Sequence, residues 1–178
     1  MTHKNTYKDR PKVTVIILNW NGKEDTLECL ASVKKIDYSN FEIVLVDNAS
    51  VDDSVEAVSE HYPDVTLLQT GDNLGYAGGN NVGIRYALDN KAEYVLLLNN
   101  DTVVDVQLIN AFIVASKAIV NRAIMGGEIY YYAQPDTLWY AGARWIPDKL
   151  DFEHIGLGQK DTKIFDELTK TDDVLIVP

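Results

Sequence analysis

Cysteine is almost missing from this chain. Its 178 residues include one, Cys29, so no intrachain disulfide can form. A lone thiol inside an apolar helical pattern reads as a buried residue, and such sparse use suits a cytosolic setting better than a secreted one. Histidine is scarce as well: His3, His61 and His154 are too scattered for a zinc site. Basic residues are outnumbered, with 16 Lys and Arg against 27 Asp and Glu and a formal net charge of −11. That balance excludes a protein that coats DNA or RNA, which needs a basic stripe to neutralise phosphates, although one nucleotide can still bind at a local site. No run approaches the ~20 apolar residues that cross a bilayer. The charged stretch 1–11 leads into no leader-like apolar segment, so the Asn48-Ala49-Ser50 sequon carries no weight and a cytoplasmic location is expected. Three nucleotide and hydrolase signatures are also lacking: the G-x-G-x-x-G loop after the first strand, the G-x-x-x-x-G-K-[ST] loop and the G-x-S-x-G elbow.

What the chain does have is an ordinary apolar share of 46%, enough for one domain with a real core. The first 115 residues alternate between two periodicities. Short β-branched or apolar runs at 13–18, 41–46, 65–68 and 94–98 read as strands. Between them lie helical patterns: 22–35, with Leu27, Leu30 and Ala31; a second carrying Val51, Val55 and Val58 and closed by Pro63; and a third ending near Asn90, with Ile84, Ala87 and Leu88 facing inward. Asn21 with Glu24, and Ser50 with Asp53, have the spacing of helix caps with a reciprocal carboxylate. Asp105 can cap a last helix bearing Leu108, Phe112 and Ala115. Strands separated by helices predict an α/β fold, a mostly parallel sheet flanked by helices.

Ligands of such sheets bind beyond the carboxyl ends of the strands, and every unusual polar cluster falls there: Asn19-Trp20-Asn21, Asp47-Asn48, Gly71-Asp72-Asn73 and Asn99-Asn100-Asp101. Asp101, ending what reads as the central strand, suits Mg²⁺ or Mn²⁺, with a diphosphate completing the oxygen shell that one Asp and two Asn leave open. Its plainer reading is a cap for the next turn. Asp47 is placed to accept hydrogen bonds from a base or ribose, or else to shape the turn before Ser50. Four glycines in nine residues, Gly71, Gly75, Gly78 and Gly79, predict a shaped loop over 71–79 that lets a ligand approach the backbone; the alternative is a simple tight turn.

Downstream the character changes. Residues 126–132 and 138–146 read as two aromatic strands around a Gln134-Pro135-Asp136 turn, and 147–173 as a polar, acidic, partly mobile loop region. The run 174–177 reads as a strand with Pro178 directly behind it, which suggests a fragment of a longer protein.

The segments Val15-Ile16-Ile17-Leu18-Asn19-Trp20-Asn21-Gly22, Val44-Leu45-Val46-Asp47-Asn48-Ala49-Ser50, Asn73-Leu74-Gly75-Tyr76-Ala77-Gly78-Gly79-Asn80-Asn81 and Leu97-Leu98-Asn99-Asn100-Asp101-Thr102 resemble the inverting family 2 glycosyltransferases, and within them the rhamnosyltransferase-like branch. The resemblance covers about 12–146, with Leu138-Trp139-Tyr140-Ala141-Gly142 a weaker fifth block. It implies a GT-A fold that binds a nucleotide-diphosphate sugar, of dTDP or UDP type, in the presence of Mg²⁺ or Mn²⁺. Asp47 would meet the base, with Asn19, Asn21, Asn48, Asp72, Asn73, Gly75, Gly78, Asn81, Asn99 and Asn100 lining the donor site. Asp101 would hold the metal, Asn99 standing where the family's motif has its first Asp. The acceptor would be a saccharide or a lipid-linked saccharide, and the full-length enzyme could work at the inner face of the membrane.

The same resemblance divides the chain into a tail, 1–11, a nucleotide-sugar-binding core, 12–146, and the start of an acceptor-binding portion, 147–178. The fold would then be GT-A truncated at the C-terminus, with the general base lying beyond Pro178. Failing that, the base must come from Glu128, Asp148, Asp151, Asp172 or Asp173. Two competing functions are a nucleotide- or metal-binding module without catalysis and a nucleotidyltransferase on a related sheet, but the latter needs a basic loop that Asn19-Trp20-Asn21-Gly22-Lys23 matches poorly.

Overall fold

The computed structural model describes residues 10–118, 124–162, 169–171 and 174–177. They form two compact units, Met1–Val106 and Gln107–Pro178; the stretch 12–146 runs across that boundary. Among the described residues no helix is long and apolar enough to cross a membrane.

The first unit is the alternating α/β array that the periodicity predicts: β1 (Val13–Asn19), α1 (Lys23–Val33), β2 (Phe41–Asp47), α2 (Ser54–His61), β3 (Thr66–Gln69), α3 (Gly75–Asp89) and β4 (Tyr94–Asn99). The four strands make one parallel sheet in the order β3-β2-β1-β4. β1 and β2 are therefore the inner strands, and Val15, Ile16, Ile17, Val44, Leu45 and Val46 are sealed from solvent. Each such side chain is worth about 1.5–3 kcal/mol of burial. β4, which reads from sequence as the central strand, is an edge strand of this sheet, and its Leu97 is exposed.

α3 packs over β1 and β2 at very short range. A Cβ on Gly79 would stand 2.4 Å from Leu18 Cδ1, and one on Gly83 would stand 2.6 Å from Ile16 Cγ2. This corrects the expected loop: only Gly71 precedes the helix, α3 begins at Gly75, and Gly79 and Gly83 serve helix–sheet contact rather than a ligand. Gly71 and Gly75 have positive φ values of 79° and 68°, the region where glycine is needed.

Three further readings change. Val51 precedes α2 and is 92% exposed, and Leu88 lies outside the core. Neither α1 nor α2 has a side-chain cap; Gly22 and Asp53 occupy the cap positions. Asn21 and Ser50 bond each other's loops instead, because Asn21 Oδ1 accepts the Val51 N–H at 2.8 Å and Ser50 Oγ accepts the Asn21 N–H at 2.9 Å.

In the second unit, α4 (Leu108–Ala118) is followed by β5 (Gly126–Gly127), β6 (Ile129–Tyr131), β7 (Gln134–Tyr140), β8 (Ala143–Ile146), β9 (Asp151–His154), β10 (Thr169–Thr171) and β11 (Val174–Val177). β6 pairs with β7 and β8 with β9, both antiparallel, while β11 lies between β10 and β5. The expected Gln134-Pro135-Asp136 turn is thus the start of β7, and the hairpin turns one residue pair earlier. The region 147–173, read as loop, contains β9 and β10; alternation is too short there to stand out against so many charges. Asp172, Asp173 and Pro178 lie outside the described residues.

Candidate functional site

Parallel register sets the strand ends in a row: Asn19 pairs with Asp47, and Leu18 with Asn99. Three polar residues thereby finish β1, β2 and β4 side by side, at strand spacings of about 4.8 Å.

Asn19 is fully buried and bonds to Asp47 and to the segments that follow all three strands. Its Nδ2 donates to Asp47 Oδ1 at 3.0 Å and to Ser50 Oγ at 3.1 Å. Its Oδ1 accepts from the Gly22 N–H at 3.1 Å, from Thr26 Oγ1 at 3.0 Å and from Asn100 Nδ2 at 3.2 Å. Asp47 is 2% exposed, and its other oxygen accepts the Ser50 N–H at 3.0 Å. A carboxylate this deep is tolerable only with such donors on it. The turn that delivers Ser50 is strained, since Ala49 has φ 62°. For a side chain with a Cβ that conformation costs roughly 1–2 kcal/mol, the kind of strain that collects at binding sites.

Asn48 serves the neighbouring loop. Its Nδ2 donates to Asn73 Oδ1 at 2.8 Å and its Oδ1 accepts the Leu74 N–H at 3.0 Å, so the start of α3 is tied to the end of β2. Asn73 Oδ1 also accepts the Gly75 N–H at 2.9 Å. Of the remaining expected donor-site residues, Asp72, Asn81 and Asn99 are exposed, and Gly78 is half-buried, where an added Cβ would stand 2.6 Å from Leu74 Cβ.

Asp101 is exposed in the turn after β4. Among the described residues no group of three or more His, Cys, Asp or Glu side chains could hold a metal ion. A cation here would have one protein carboxylate, and Mg²⁺ and Mn²⁺ are commonly held in that open manner, with phosphate oxygens and water supplying the rest. The donor set fits a metal that arrives with a diphosphate and does not fit a closed protein cage.

Sequence reasoning passed over two residues. Trp20, directly after β1, is 58% exposed and offers a face on which a base can stack. Thr26 is fully buried on α1 between Asn19 and Asn100. Its signal was present, because Thr26, Cys29 and Ser32 recur every three residues within an otherwise apolar helical face.

The sequence and the fold have known counterparts. A family model described as glycosyl transferase family 2 matches residues 14–169. The chain belongs to that family. Among curated relatives, a low-salt glycan biosynthesis hexosyltransferase of Haloferax volcanii is 37% identical over 90 residues, 50% of this chain and 27% of its own length. The glycosyltransferase GlyG of Streptococcus pneumoniae is 28% identical over 133 residues, 72% of this chain and 42% of its own. The chain thus spans half or less of the length of these relatives. Among solved structures, a mannosyltransferase of Pyrobaculum calidifontis in complex with GDP-Man and Mn²⁺ superposes with a TM-score of 0.57 at 27% identity, over 70% of this chain and 37% of that one. S. aureus TarS in complex with UDP-GlcNAc, at 21% identity and a TM-score of 0.53, covers 69% of this chain and 41% of that one and shares the fold. This family 2 chain has the α/β fold of a GT-A nucleotide-sugar transferase, a mostly parallel sheet flanked by helices.

Proposed function

We propose that this chain binds a nucleoside-diphosphate sugar across the carboxyl ends of β2, β1 and β4 and serves transfer of the sugar to a saccharide or lipid-linked acceptor, with inversion at the sugar carbon and with rhamnose as the leading donor sugar. The observation that carries this reading is the pair of carboxylates on the row: Asp47, buried and held by Asn19 and Ser50, and Asp101, exposed at the far end. Asp47 ends β2 and Asp101 lies in the turn after β4, and those strands are two spacings apart, roughly 10 Å, which suits a ligand with a base at one end and phosphates at the other. Each Asp47 oxygen keeps a second lone pair for a base N–H. Trp20 stacks on the base, and Asn99 and Asp101 face the diphosphate. A divalent ion at Asp101 would offset charge on the departing diphosphate. The metal-bound complex of the Pyrobaculum relative supports this assignment.

Calorimetry with UDP-, dTDP- and GDP-sugars, in Mn²⁺ and in EDTA, tests the reading. Asp101→Ala is expected to weaken binding in Mn²⁺ by about 2–5 kcal/mol and to change little in EDTA. Asp47→Asn is expected to weaken the nucleotide while sparing free diphosphate with metal, because of the two ends of the ligand the base loses a charge-assisted bond and the diphosphate does not. Equal affinities for wild type and Asp101→Ala in Mn²⁺ would refute the metal role.

A further inference from the structure

α1 presents a row of three buried polar side chains, each of which meets the segment leaving β4. The Thr26 hydroxyl accepts from Asn100 Nδ2 at 3.1 Å and donates to Asn19 Oδ1 at 3.0 Å. The Cys29 thiol reaches the Asn99 carbonyl at 3.7 Å. Ser32 Oγ accepts the Val104 N–H at 3.2 Å while donating to the Cys29 carbonyl at 2.7 Å. Spacing of three keeps these residues on one helix face, so the row tracks 99–104 along its length. A connector following a strand needs only to be covered; here side chain and backbone are gripped at three points, and Asp101 sits between the first two and the third.

The grip is tightest at Thr26. Asn100 Nδ2 is shared between Thr26 Oγ1 and Asn19 Oδ1, and the latter already accepts from Gly22 and Thr26. A carbonyl oxygen has two lone pairs, so three donors compete for it and the Thr26 oxygen is the better-matched acceptor for Asn100. Space is equally restricted on the other side, where a Cβ on Gly22 would lie 2.5 Å from Asn100 Nδ2. Asn100 has a single seat, and the carboxylate of the next residue, Asp101, takes its origin from that seat.

We infer that Thr26 is a positioning residue for Asp101: by fixing Asn100 it holds the β4 exit turn where the neighbouring carboxylate can share a divalent ion with a diphosphate. This rests on the nucleotide-sugar reading of the site. Thr26 touches neither nucleotide nor metal, and its effect is confined to metal-dependent affinity. Supports of this kind behind a ligand commonly matter by about tenfold or more in metal affinity.

The test uses the full chain and calorimetry with UDP, in Mn²⁺ and in EDTA, on wild type, Thr26→Val and Thr26→Ser. Valine keeps the shape and removes the hydroxyl. It is expected to reduce UDP affinity about tenfold in Mn²⁺ and to leave the EDTA value unchanged, while serine restores the wild-type value. Gly22→Ala, which crowds Asn100 from the opposite side, is expected to give the same selective loss and covers the case in which valine impairs folding. In the metal-free protein, the Asn100 side-chain amide hydrogens should exchange faster in Thr26→Val than in wild type. Failure of the wild type to bind UDP more tightly in Mn²⁺ would overturn the nucleotide-sugar reading and this inference together. Metal-dependent binding in the wild type that is unchanged in Thr26→Val, or an equal loss in Mn²⁺ and EDTA, would overturn the positioning role alone.

Discussion

The two units solve the problem of polar side chains differently. In the first, the buried polar groups saturate one another: Asn19 uses both amide hydrogens and its oxygen, Asp47 both oxygens, and Asn48 both ends of its amide. In the second, Tyr130 places a single hydroxyl hydrogen between two carboxylates, Glu128 Oε2 at 3.0 Å and Asp161 Oδ2 at 2.9 Å. Burial and those two acceptors both push its phenol pKa upward. The second unit also leaves its aromatics in view: Trp139, Trp145 and Phe152 are each more than 40% exposed, and Trp145 and Phe152 meet across β8 and β9 as a tilted pair with centroids 4.8 Å apart. A saturated network over a sealed parallel sheet is rigid and intolerant of change. Two-stranded hairpins with exposed rings depend on a few pair contacts and give way easily.

The harshest way to break that contrast is Asn19→Leu. It keeps the volume, strips one of the two donors from the buried Asp47 carboxylate, which keeps the Ser50 N–H, and takes the acceptor away from the Gly22 and Thr26 donors. Chemical denaturation should show a loss of about 3 kcal/mol, the range for losing a hydrogen bond to a charged group with further buried donors left unmet. A loss below half a kcal/mol would mean that the network relaxes far more than its burial suggests.

Gly83→Ala comes next. Its methyl would meet Ile16 Cγ2 at 2.6 Å and Val46 Cγ2 at 3.1 Å, in a closed layer between α3 and the sheet. Overpacking there should cost about 1–3 kcal/mol in the same assay.

Cys29 sharpens the comparison through pH. Burial, as the main cause, raises its thiol from 9.0 to about 11, opposed by hydrogen bonds from Thr102 and assisted by the Asp101 charge. The folded thiol therefore keeps its proton to higher pH than the unfolded one. Its share of stability is whole below pH 9 and is lost as pH rises towards about 11. At pH 8 the folded protein should react with a thiol reagent roughly a hundredfold more slowly than after denaturation, and replacing Cys29 with Ala should flatten the alkaline loss of stability.

The smallest effect belongs to the second unit. Trp145→Ala removes one cross-strand aromatic pair from an exposed hairpin and should lower stability by less than about 1 kcal/mol. Nucleotide binding should not change measurably, which calorimetry on the variant checks directly.

Local pattern alone was sufficient for the order of the first seven elements, for the strand ends as the place where polar residues gather, and for the family, because β-branched runs, helical spacing and short motifs are properties of neighbouring residues. Position in the sheet was not local. β4 is strongly apolar and reads as the central strand, yet it lies at the edge of its sheet, since apolarity records burial by whatever covers a strand and says nothing of its rank in the sheet. The roles of the polar residues depended on tertiary structure even more. Asn21 and Ser50 have the spacing of caps, but the register of β1 against β2 brings their loops together, and they bond each other. Gly79 reads as part of a shaped loop, but a helix laid on Leu18 and Ile16 needs it and Gly83 bare. Asn19 lies 28 residues from Asp47 and 81 from Asn100, distances over which a sequence carries no register. Only the parallel sheet, by fixing which strand end stands beside which, turned three polar punctuation marks into one network and left Thr26 beneath it.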